Sequence, residues 1–365
     1  MQKLEDFKCE INKCSKCGLC QSVCPIYKLT GNDCAVSRGK FVMLEGVLKG
    51  DLKLNQNINK YLDLCLKCNK CSDFCPSAID VCEIFEAAKY EYVKNTFLGK
   101  FVFFLESKFV FGNFLKIGKF LKKFMLLNYH FNVKDGVAKR RVRGENLKLL
   151  YFKGCVNNIF PQADRFLHRL FDNSNVEIIE KDFDCCGLPF LSSGNLDRFE
   201  EVKKHNLVLM DCDFDYILTD CASCESTLKT YSNSDFINLG ELVAQQDIKF
   251  KFKKPIKVTF HKPCHLENDD FWQKILTNCE NVEYVKMQDY DECCGFSGEF
   301  TIKNPKIATQ LMKQKAQNAV ATGADYVVTT CPACVIGLKL GLRGIKKSPK
   351  VVSLSDFLSL ASIKY

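Results

Sequence analysis

Two runs of four cysteines carry the densest chemistry in this 365-residue sequence. Cys14, Cys17, Cys20 and Cys24 precede Pro25, and Cys65, Cys68, Cys71 and Cys75 precede Pro76, so each run reads C-x2-C-x2-C-x3-C-P. Three cysteines on so tight a loop reach three corners of one four-iron cubane, and the fourth reaches the other cluster. The spacing therefore assigns one [4Fe-4S] cluster to Cys14, Cys17, Cys20 and Cys75, and a second to Cys65, Cys68, Cys71 and Cys24. Zinc is the competing metal, but it prefers two separated pairs of ligands, whereas each run supplies four thiols within eleven residues. Gly18 suits a turn where backbone approaches the inorganic core, and Pro25 and Pro76 end each loop without presenting an N–H.

Ten further cysteines repeat in register. Cys155 answers Cys264, Cys185-Cys186-Gly187 answers Cys293-Cys294-Gly295, and Cys221-x2-Cys224 answers Cys331-x2-Cys334, with offsets of 108 to 110 residues. Five thiols per repeat exceed what one tetrahedral metal or one simple cubane needs. The surplus leaves two readings, an unusual cluster or a cubane with a spare reactive thiol. Helix N-termini are expected after Cys224 and Cys334, where they favour thiolates and a negatively charged cluster. Recurrence of all five argues against buried cysteines that merely act as small hydrophobes, but that reading suits Cys9, Cys34, Cys82, Cys212 and Cys279, which fit no motif. His261 and His265 flank Cys264 and are candidates for tuning a cluster or relaying a proton. The competing reading is satisfied loop residues. With Cys293 and Cys294 they are the candidates for direct catalysis. His130, His168 and His205 carry no signal.

The elements that must position these groups follow from periodicity. Apolar runs Leu147 to Phe152 and Ile256 to Phe260 read as strands, as do Tyr216 to Thr219 and Tyr326 to Thr329 just ahead of the paired cysteines. Helical spacing lies between them, at Phe166, Leu167, Leu170 and Phe171 and again at Ile307, Leu311, Ala316 and Ala319. Strand alternating with helix implies a small parallel α/β sheet in each repeat. The expected fold class is thus mixed α+β and α/β: a helical two-cluster ferredoxin-like N-terminal domain, residues 1–95, then two duplicated α/β domains at 147–250 and 251–365.

Between them, residues 96–146 offer no ligand. They interleave Phe97, Phe101, Phe103, Phe104, Phe109, Phe111, Phe114, Phe120 and Phe124 with Lys100, Lys108, Lys116, Lys119, Lys122 and Lys123. The block reads as a basic, aromatic helical linker. Its two roles are a face on a membrane interface or partner, and packing against the rest of the chain. No uncharged run is long enough to span a bilayer.

Composition bounds the rest. The 23 cysteines come with a first stretch, MQKLEDFK, that lacks a secretory h-region, so a reducing cytoplasmic setting and metal ligation are expected rather than disulfides. The formal charge of +9 counts thiols as neutral. Two cubanes with their thiolates bring about −4, leaving roughly +5. That balance suits a membrane surface or an acidic partner, and no aromatic-basic motif supports nucleic-acid binding. No G-x-G-x-x-G follows a strand and no P-loop occurs, so neither FAD nor NAD is expected on this chain.

The pattern resembles the iron-sulfur subunits of bacterial glycolate oxidases over nearly the whole chain. The resemblance rests on CSKCGLCQSVCPIYKLTGNDCAVSRGKFVMLEGVLKG and LDLCLKCNKCSDFCPSAI, including the Arg38-Gly39-Lys40 step. The C-terminal half is similar to the paired cysteine-rich (CCG) domains found in anaerobic glycerol-3-phosphate dehydrogenases, on their C-type component, and in lactate-utilisation proteins and heterodisulfide reductases. The resemblance implies an electron-transfer subunit of an oxidoreductase complex. A separate FAD-containing dehydrogenase subunit would oxidise a 2-hydroxy acid, and electrons would pass to a membrane quinone from a chain peripheral to the inner face of the cytoplasmic membrane. The glycolate oxidase subunits tend to have lost members of the cysteine sets. Both sets are complete here, as in heterodisulfide-reductase-type domains, where such sets hold noncubane [4Fe-4S] clusters. The resemblance thus implies one or two noncubane clusters, on Cys155, Cys185, Cys186, Cys221 and Cys224 and on Cys264, Cys293, Cys294, Cys331 and Cys334. It also opens a second function, direct reduction of a disulfide or quinone at those clusters.

Overall fold

The computed structural model describes residues 3–96 and 147–364, apart from 160–161, 172–174, 184 and 247. The basic aromatic linker, with Phe101, Phe104, Lys119 and Lys123, lies outside the described residues. Among the described residues no helix is long and apolar enough to cross a membrane. All 23 cysteines are free of disulfides.

The chain divides into two compact units. The first joins Met1–Val110 to two later segments, Gly187–Glu200 and Glu292–Lys315. It is helical, with the longer helices Ser37–Lys49 and Val81–Asn95 packed through Phe41, Leu44, Ile84, Phe85 and Ala88 onto Leu4, Ile11, Ile58 and Leu62. Burying such side chains contributes about 1.5–3 kcal/mol each. Val81–Asn95 begins at Asp80, whose side chain accepts from the N–H groups of Cys82 and Glu83, a cap that fixes where the helix starts.

The two later segments attach to this unit through buried polar contacts. Lys89, 3% exposed, reaches Asp63 at 2.6 Å, the Ser192 carbonyl at 2.9 Å and Glu299 at 3.8 Å. Tyr90 donates to Asp197 at 2.9 Å, Ser297 to the Leu66 carbonyl at 3.1 Å, and Asn304 to the Asp63 carbonyl at 3.1 Å. Gly194, at φ 78°, sits so near the Lys89–Tyr90 backbone that a Cβ would stand 2.9 Å from the Tyr90 nitrogen. No larger residue fits there without moving backbone.

The second unit comprises Phe111–Cys186, Glu201–Asp291 and Ala316–Tyr365 and holds both sheets. Strands β1 (Leu147–Phe152), β2 (Val176–Glu180), β3 (Tyr216–Thr219) and β4 (Phe236–Asn238) form a parallel sheet in the order β2-β1-β3-β4. Strands β5 (Lys249–Phe260), β6 (Cys279–Tyr284), β7 (Tyr326–Thr329) and β8 (Lys350–Ser353) repeat it as β6-β5-β7-β8, and β9 (Ser362–Lys364) pairs antiparallel with β5. The near-continuous burial of β1, β3 and β7 at their C-terminal ends is what a parallel sheet covered on both faces requires. One core serves both sheets. Phe260 stacks on Trp272 at 4.8 Å and Phe252 on Phe357 at 4.8 Å, among Leu218, Leu242, Val258 and Val328. The expected parallel α/β repeats behind a helical N-terminal region are the observed architecture.

The C-x2-C turns differ from expectation in one respect. The helices Ala222–Lys229 and Pro332–Leu342 start at Cys221 and Cys331, which are extended N-caps, so Cys224 and Cys334 lie within the first turn rather than ahead of the helix. Pro332 accounts for this in the second repeat, because proline is preorganised for the first helical position and loses no hydrogen bond there.

Candidate metal centres

In the first unit the two cysteine runs fold into loops of matching shape. Lys16 and Gly18 in one, and Lys67 and Asn69 in the other, have positive φ, from 54° to 84°. Two left-handed residues between three cysteines turn successive backbone N–H groups to one side, a concavity suited to an anionic cluster. Asn69 does what Gly18 does because asparagine tolerates that conformation better than other side chains.

One cavity is lined by Cys14, Cys17, Cys20 and Cys75 with Arg38, and by Cys71. A second is lined by Cys24, Cys65, Cys68 and Cys71 with Lys40. Each crossed set named from the sequence thus shares a cavity. The Arg38-Gly39-Lys40 step has a physical reason. Arg38, paired to Asp33 at 3.0 Å, borders the first cavity, and Lys40, only 2% exposed, borders the second with its ammonium on the Leu64 carbonyl at 2.8 Å. Gly39 lets these residues approach, since a Cβ there would lie 2.0 Å from the Asp33 oxygen.

Burial pushes the Cys71 thiol up to about 12 and holds Cys24 and Cys20 above the ordinary thiol range. Thiols so placed ionise only with cationic compensation, which iron supplies and which Lys40 and Arg38 supplement. The donor set fits an iron-sulfur cluster in each cavity.

Sequence reasoning missed Cys82. It lines the second cavity and its thiol hydrogen-bonds Cys65, which holds Cys65 down and raises Cys82. The signal was hidden because Cys82 sits on a helix, outside any cysteine spacing. Lys67 was also missed. Burial opposes its charge, but Glu86 at 2.6 Å raises its pKa, and the pair lies beside Cys65 and Cys82. Of the other cysteines outside the motifs, Cys9 is exposed, Cys34 and Cys212 are half-buried, and burial pushes Cys279 on β6 up to about 12.

In the second unit the first CCG set comes together. Cys185 is in side-chain hydrogen-bonding contact with Cys155 and Cys186, Cys186 with Cys224, and Cys224 with Cys221. Cys221 also meets Cys331 of the second repeat, where Ala222 N–H donates to the Thr330 carbonyl at 3.2 Å. The adjacent pair is fixed by its carbonyls. Asn206 donates to that of Cys185 at 3.0 Å and the Tyr231 hydroxyl to that of Cys186 at 3.2 Å. Gly154 leaves room for sulfur, since a Cβ there would stand 3.1 Å from Cys224 Sγ. Five thiols, each in contact with the next on a fixed backbone, fit a cluster with more than four cysteine neighbours.

The second set divides between the units: Cys264, Cys331 and Cys334 belong to the second, Cys293 and Cys294 to the first. Within the first, the Gly295 N–H points at Cys293 Sγ at 3.5 Å, and Gly295, at φ 84°, is held where a Cβ would meet Leu311 at 2.7 Å. Within the second, Cys331 meets Cys334 and, at 3.6 Å, the Ser223 hydroxyl, which also bonds His265 Nδ1 at 2.9 Å. His261 is fully buried with Nδ1 3.1 Å from the Tyr290 carbonyl. Nδ1 is then the N–H donor to that carbonyl.

Both cysteine-rich regions match known protein domains. Residues 10–79 match the 4Fe-4S dicluster domain, and residues 149–229 and 258–339 match the cysteine-rich CCG domain. The chain is therefore an iron-sulfur electron-transfer protein of the kind that serves as a subunit in oxidoreductase complexes. It belongs to the family in which a dicluster ferredoxin domain is joined to paired CCG domains, the family of the glycolate oxidase iron-sulfur subunit and of the D-type component of heterodisulfide reductase. It is 28% identical to an uncharacterized iron-sulfur protein of Methanococcus maripaludis, over 97% of this chain and 74% of that one. It is 22% identical to a probable glycolate oxidase iron-sulfur subunit of Bacillus subtilis, over 96% and 93%. It is 24% identical to the D-type component of the dihydromethanophenazine:CoB–CoM heterodisulfide reductase of Methanosarcina acetivorans, over 94% and 91%.

Proposed function

We propose that this chain is the electron-transfer subunit of a flavin-linked 2-hydroxy-acid dehydrogenase of the glycolate or lactate type. It takes electrons from an FAD-containing partner subunit and passes them toward the membrane quinone pool, peripheral to the cytoplasmic face of the membrane. In this reading Cys14, Cys17, Cys20 and Cys75 hold one [4Fe-4S] cubane and Cys24, Cys65, Cys68 and Cys71 the other. The two CCG sets hold further, noncubane [4Fe-4S] clusters. Such clusters, when bound, supply one-electron carriers with potentials anywhere from about −700 to +450 mV.

The observation that carries the reading is the unbroken run of thiols Cys155, Cys185, Cys186, Cys224, Cys221 and Cys331, each in contact with the next. Around them the chain's own residues hold position and charge. Asn206 and Tyr231 fix the adjacent cysteines, Lys40 and Arg38 offset negative charge at the ferredoxin cavities, and His265 orients Ser223 against Cys331. The relative named as a glycolate oxidase subunit supports the 2-hydroxy-acid assignment.

A second reading rests on the completeness of both five-cysteine sets and on the heterodisulfide reductase relative: the CCG clusters reduce a disulfide or quinone directly. Disulfide turnover by the isolated chain, lost when Cys293 and Cys294 are replaced, selects it. Absence of turnover, with electron uptake from a co-purifying flavoprotein, selects the first.

Both readings are tested by iron and sulfide content with low-temperature EPR on anaerobically purified protein and on a Cys293→Ala/Cys294→Ala variant. About sixteen irons, with one signal lost in the variant, supports four clusters. About eight irons and an unchanged spectrum means that the CCG repeats hold no iron, and both readings fall.

A further inference from the structure

The two parallel sheets are built alike at the edge where their strands begin, yet carry opposite charge there. In the first repeat the Asp215 carboxylate accepts the Lys148 N–H at 2.7 Å, and in the second the Asp325 carboxylate accepts the Lys257 N–H at 2.8 Å. Around Asp215 stand Asp211, Asp213 and Asp235, all exposed. The second repeat has Ala321 and Gly323 in place of Asp211 and Asp213. Strand register puts Lys350 where Asp235 stands, since Ile217 pairs with Phe236 and Val327 with Val351.

Two segments meet at this second edge. Residues 249–257, KFKFKKPIK, make the first part of β5, and residues 343–350, RGIKKSPK, lead into β8; neither contains an acid. Val258 and Lys350 both lie opposite Tyr326 of β7, which puts the two segments about 10 Å apart, two strand spacings. The acids on and beside the neighbouring strands are engaged: Glu280 pairs with Lys251 at 3.2 Å, Glu283 with Lys257 at 3.0 Å, and Asp325 holds the Lys257 N–H. Lys253, Lys254, Arg343, Lys346, Lys347 and Lys350 are all exposed, and none has an ion pair among the described residues. The acidic counterpart in the first repeat shows that the fold does not need these cations to build the edge.

Five of the six are lysines. Protein–protein interfaces are depleted in lysine and draw on aromatic anchors. Clusters of about four to eight Lys and Arg are instead what a negatively charged lipid leaflet attracts. We propose that the strand-start edge of the second sheet docks the chain on an anionic phospholipid bilayer, with these six side chains against the lipid phosphates. Cys264 and Cys331 follow the opposite ends of β5 and β7, so docking leaves the cysteine-bearing edge uncovered. The inference rests on the membrane placement proposed above, but on no cluster ligand.

The test is co-sedimentation of the full-length, cluster-loaded chain with phosphatidylcholine vesicles that contain phosphatidylglycerol, and with pure phosphatidylcholine vesicles. Binding is expected only to the first, and it should be lost by about 1 M salt, where the screening length falls to about 3 Å. Each lysine near an anionic surface contributes about a fivefold factor in affinity, so Lys253→Glu/Lys254→Glu/Lys346→Glu/Lys347→Glu should weaken binding by more than about a hundredfold. Should that variant misfold, Lys253→Gln/Lys254→Gln/Lys346→Gln/Lys347→Gln removes the same charges and should weaken binding at least about tenfold by the same factor. The control, Lys53→Glu/Lys60→Glu/Lys306→Glu/Lys313→Glu, makes the same change in net charge on exposed lysines of the first unit and should retain most of the binding. No phosphatidylglycerol-dependent binding, binding untouched by the substitutions at the edge, or an equal loss in the control overturns the proposal. Salt-sensitive self-association without vesicle binding also overturns it and assigns the basic edge to the acidic edge of a second copy. Iron content and electron uptake are measured on the same samples: vesicle binding by a chain without CCG iron refutes the electron path above and leaves this face standing, and electron uptake without vesicle binding does the reverse.

Discussion

Lys89→Met probes the contact that gathers three distant stretches of chain onto one helix. The Lys89 ammonium lies 2.6 Å from Asp63, 2.9 Å from the Ser192 carbonyl and 3.8 Å from Glu299, so it bridges the N-terminal segment to both later segments of its unit. Methionine preserves the apolar stem and removes the charge. Breaking one partner of a buried ion pair destabilises by roughly 3–5 kcal/mol. Asp63 keeps Lys303 at 3.1 Å and the Asn59 amide at 3.1 Å, which places this pair at the lower end, near 3 kcal/mol by the same measure. Loss of the charged donor to the Ser192 carbonyl adds about 1 kcal/mol. Urea unfolding of the cluster-loaded chain under anaerobic conditions should show a midpoint lower by on the order of 1–2 M. Hydrogen exchange should accelerate in residues 187–200 and 292–315 before it does in the sheets. A change under about 0.5 kcal/mol, the range of ordinary surface substitutions, with unaltered exchange in both segments, refutes the bridging role.

Two further outcomes follow from single residues. Gly39→Ala places a Cβ 2.0 Å from the Asp33 oxygen, so the turn Asp33–Ala35 must shift against the helix Ser37–Lys49, at a cost of about 1–3 kcal/mol; iron per chain should fall, and wild-type iron content with an unchanged melting temperature would count against the assignment of Arg38 and Lys40 to the cavity walls. Lys339, held to about 8 in the folded chain against an ordinary 10.5, makes the unfolded chain bind more protons across that window, so its contribution to stability rises with pH from about 8 to 10.5. Lys339→Met should therefore be more stable than wild type near pH 7, by about 2 kcal/mol after allowance for partial solvent access, and the advantage should vanish above about pH 10.5; equal stability of the two proteins at pH 7 and 10 in urea titrations contradicts this.

Much of the architecture was legible because period and spacing are local properties. The apolar runs at 147–152, 216–219 and 326–329 became β1, β3 and β7, and the helical spacing at Phe166 to Phe171 and Ile307 to Ala319 became helices Gln162–Phe171 and Pro305–Ala321. The ligand loops were legible for the same reason, since C-x2-C-x2-C spacing confines thiols to one turn of chain. What stayed hidden depends on which surfaces meet. Nothing in the amphipathic pattern of Leu188–Ser193 or Gly298–Lys303 tells whether their buried faces lie against a sheet or a helix, and both belong to the helical unit. Cys82 escaped because a lone cysteine at a helical position reads as core. Lys67 and Lys89 escaped, and Lys40 was named without its burial, because burial of a lysine depends on partners 19 to over 100 residues away.

The division of the first unit among three stretches of chain sets an order of events during synthesis. Residues 1–95 leave the ribosome carrying all eight ferredoxin cysteines, but the segments that engage Lys89, Asp63 and Leu66 emerge only when residues 187–200 and then 292–315 have been made. At common elongation rates of about 5–20 residues per second, the nascent unit waits roughly ten to forty seconds for its last helices. Throughout that interval Lys89, Asp63 and Leu66 lack the partners that the later segments supply. A chain truncated before residue 292 would keep both ferredoxin cysteine runs yet leave Asp63 and Leu66 without their contacts to Asn304 and Ser297.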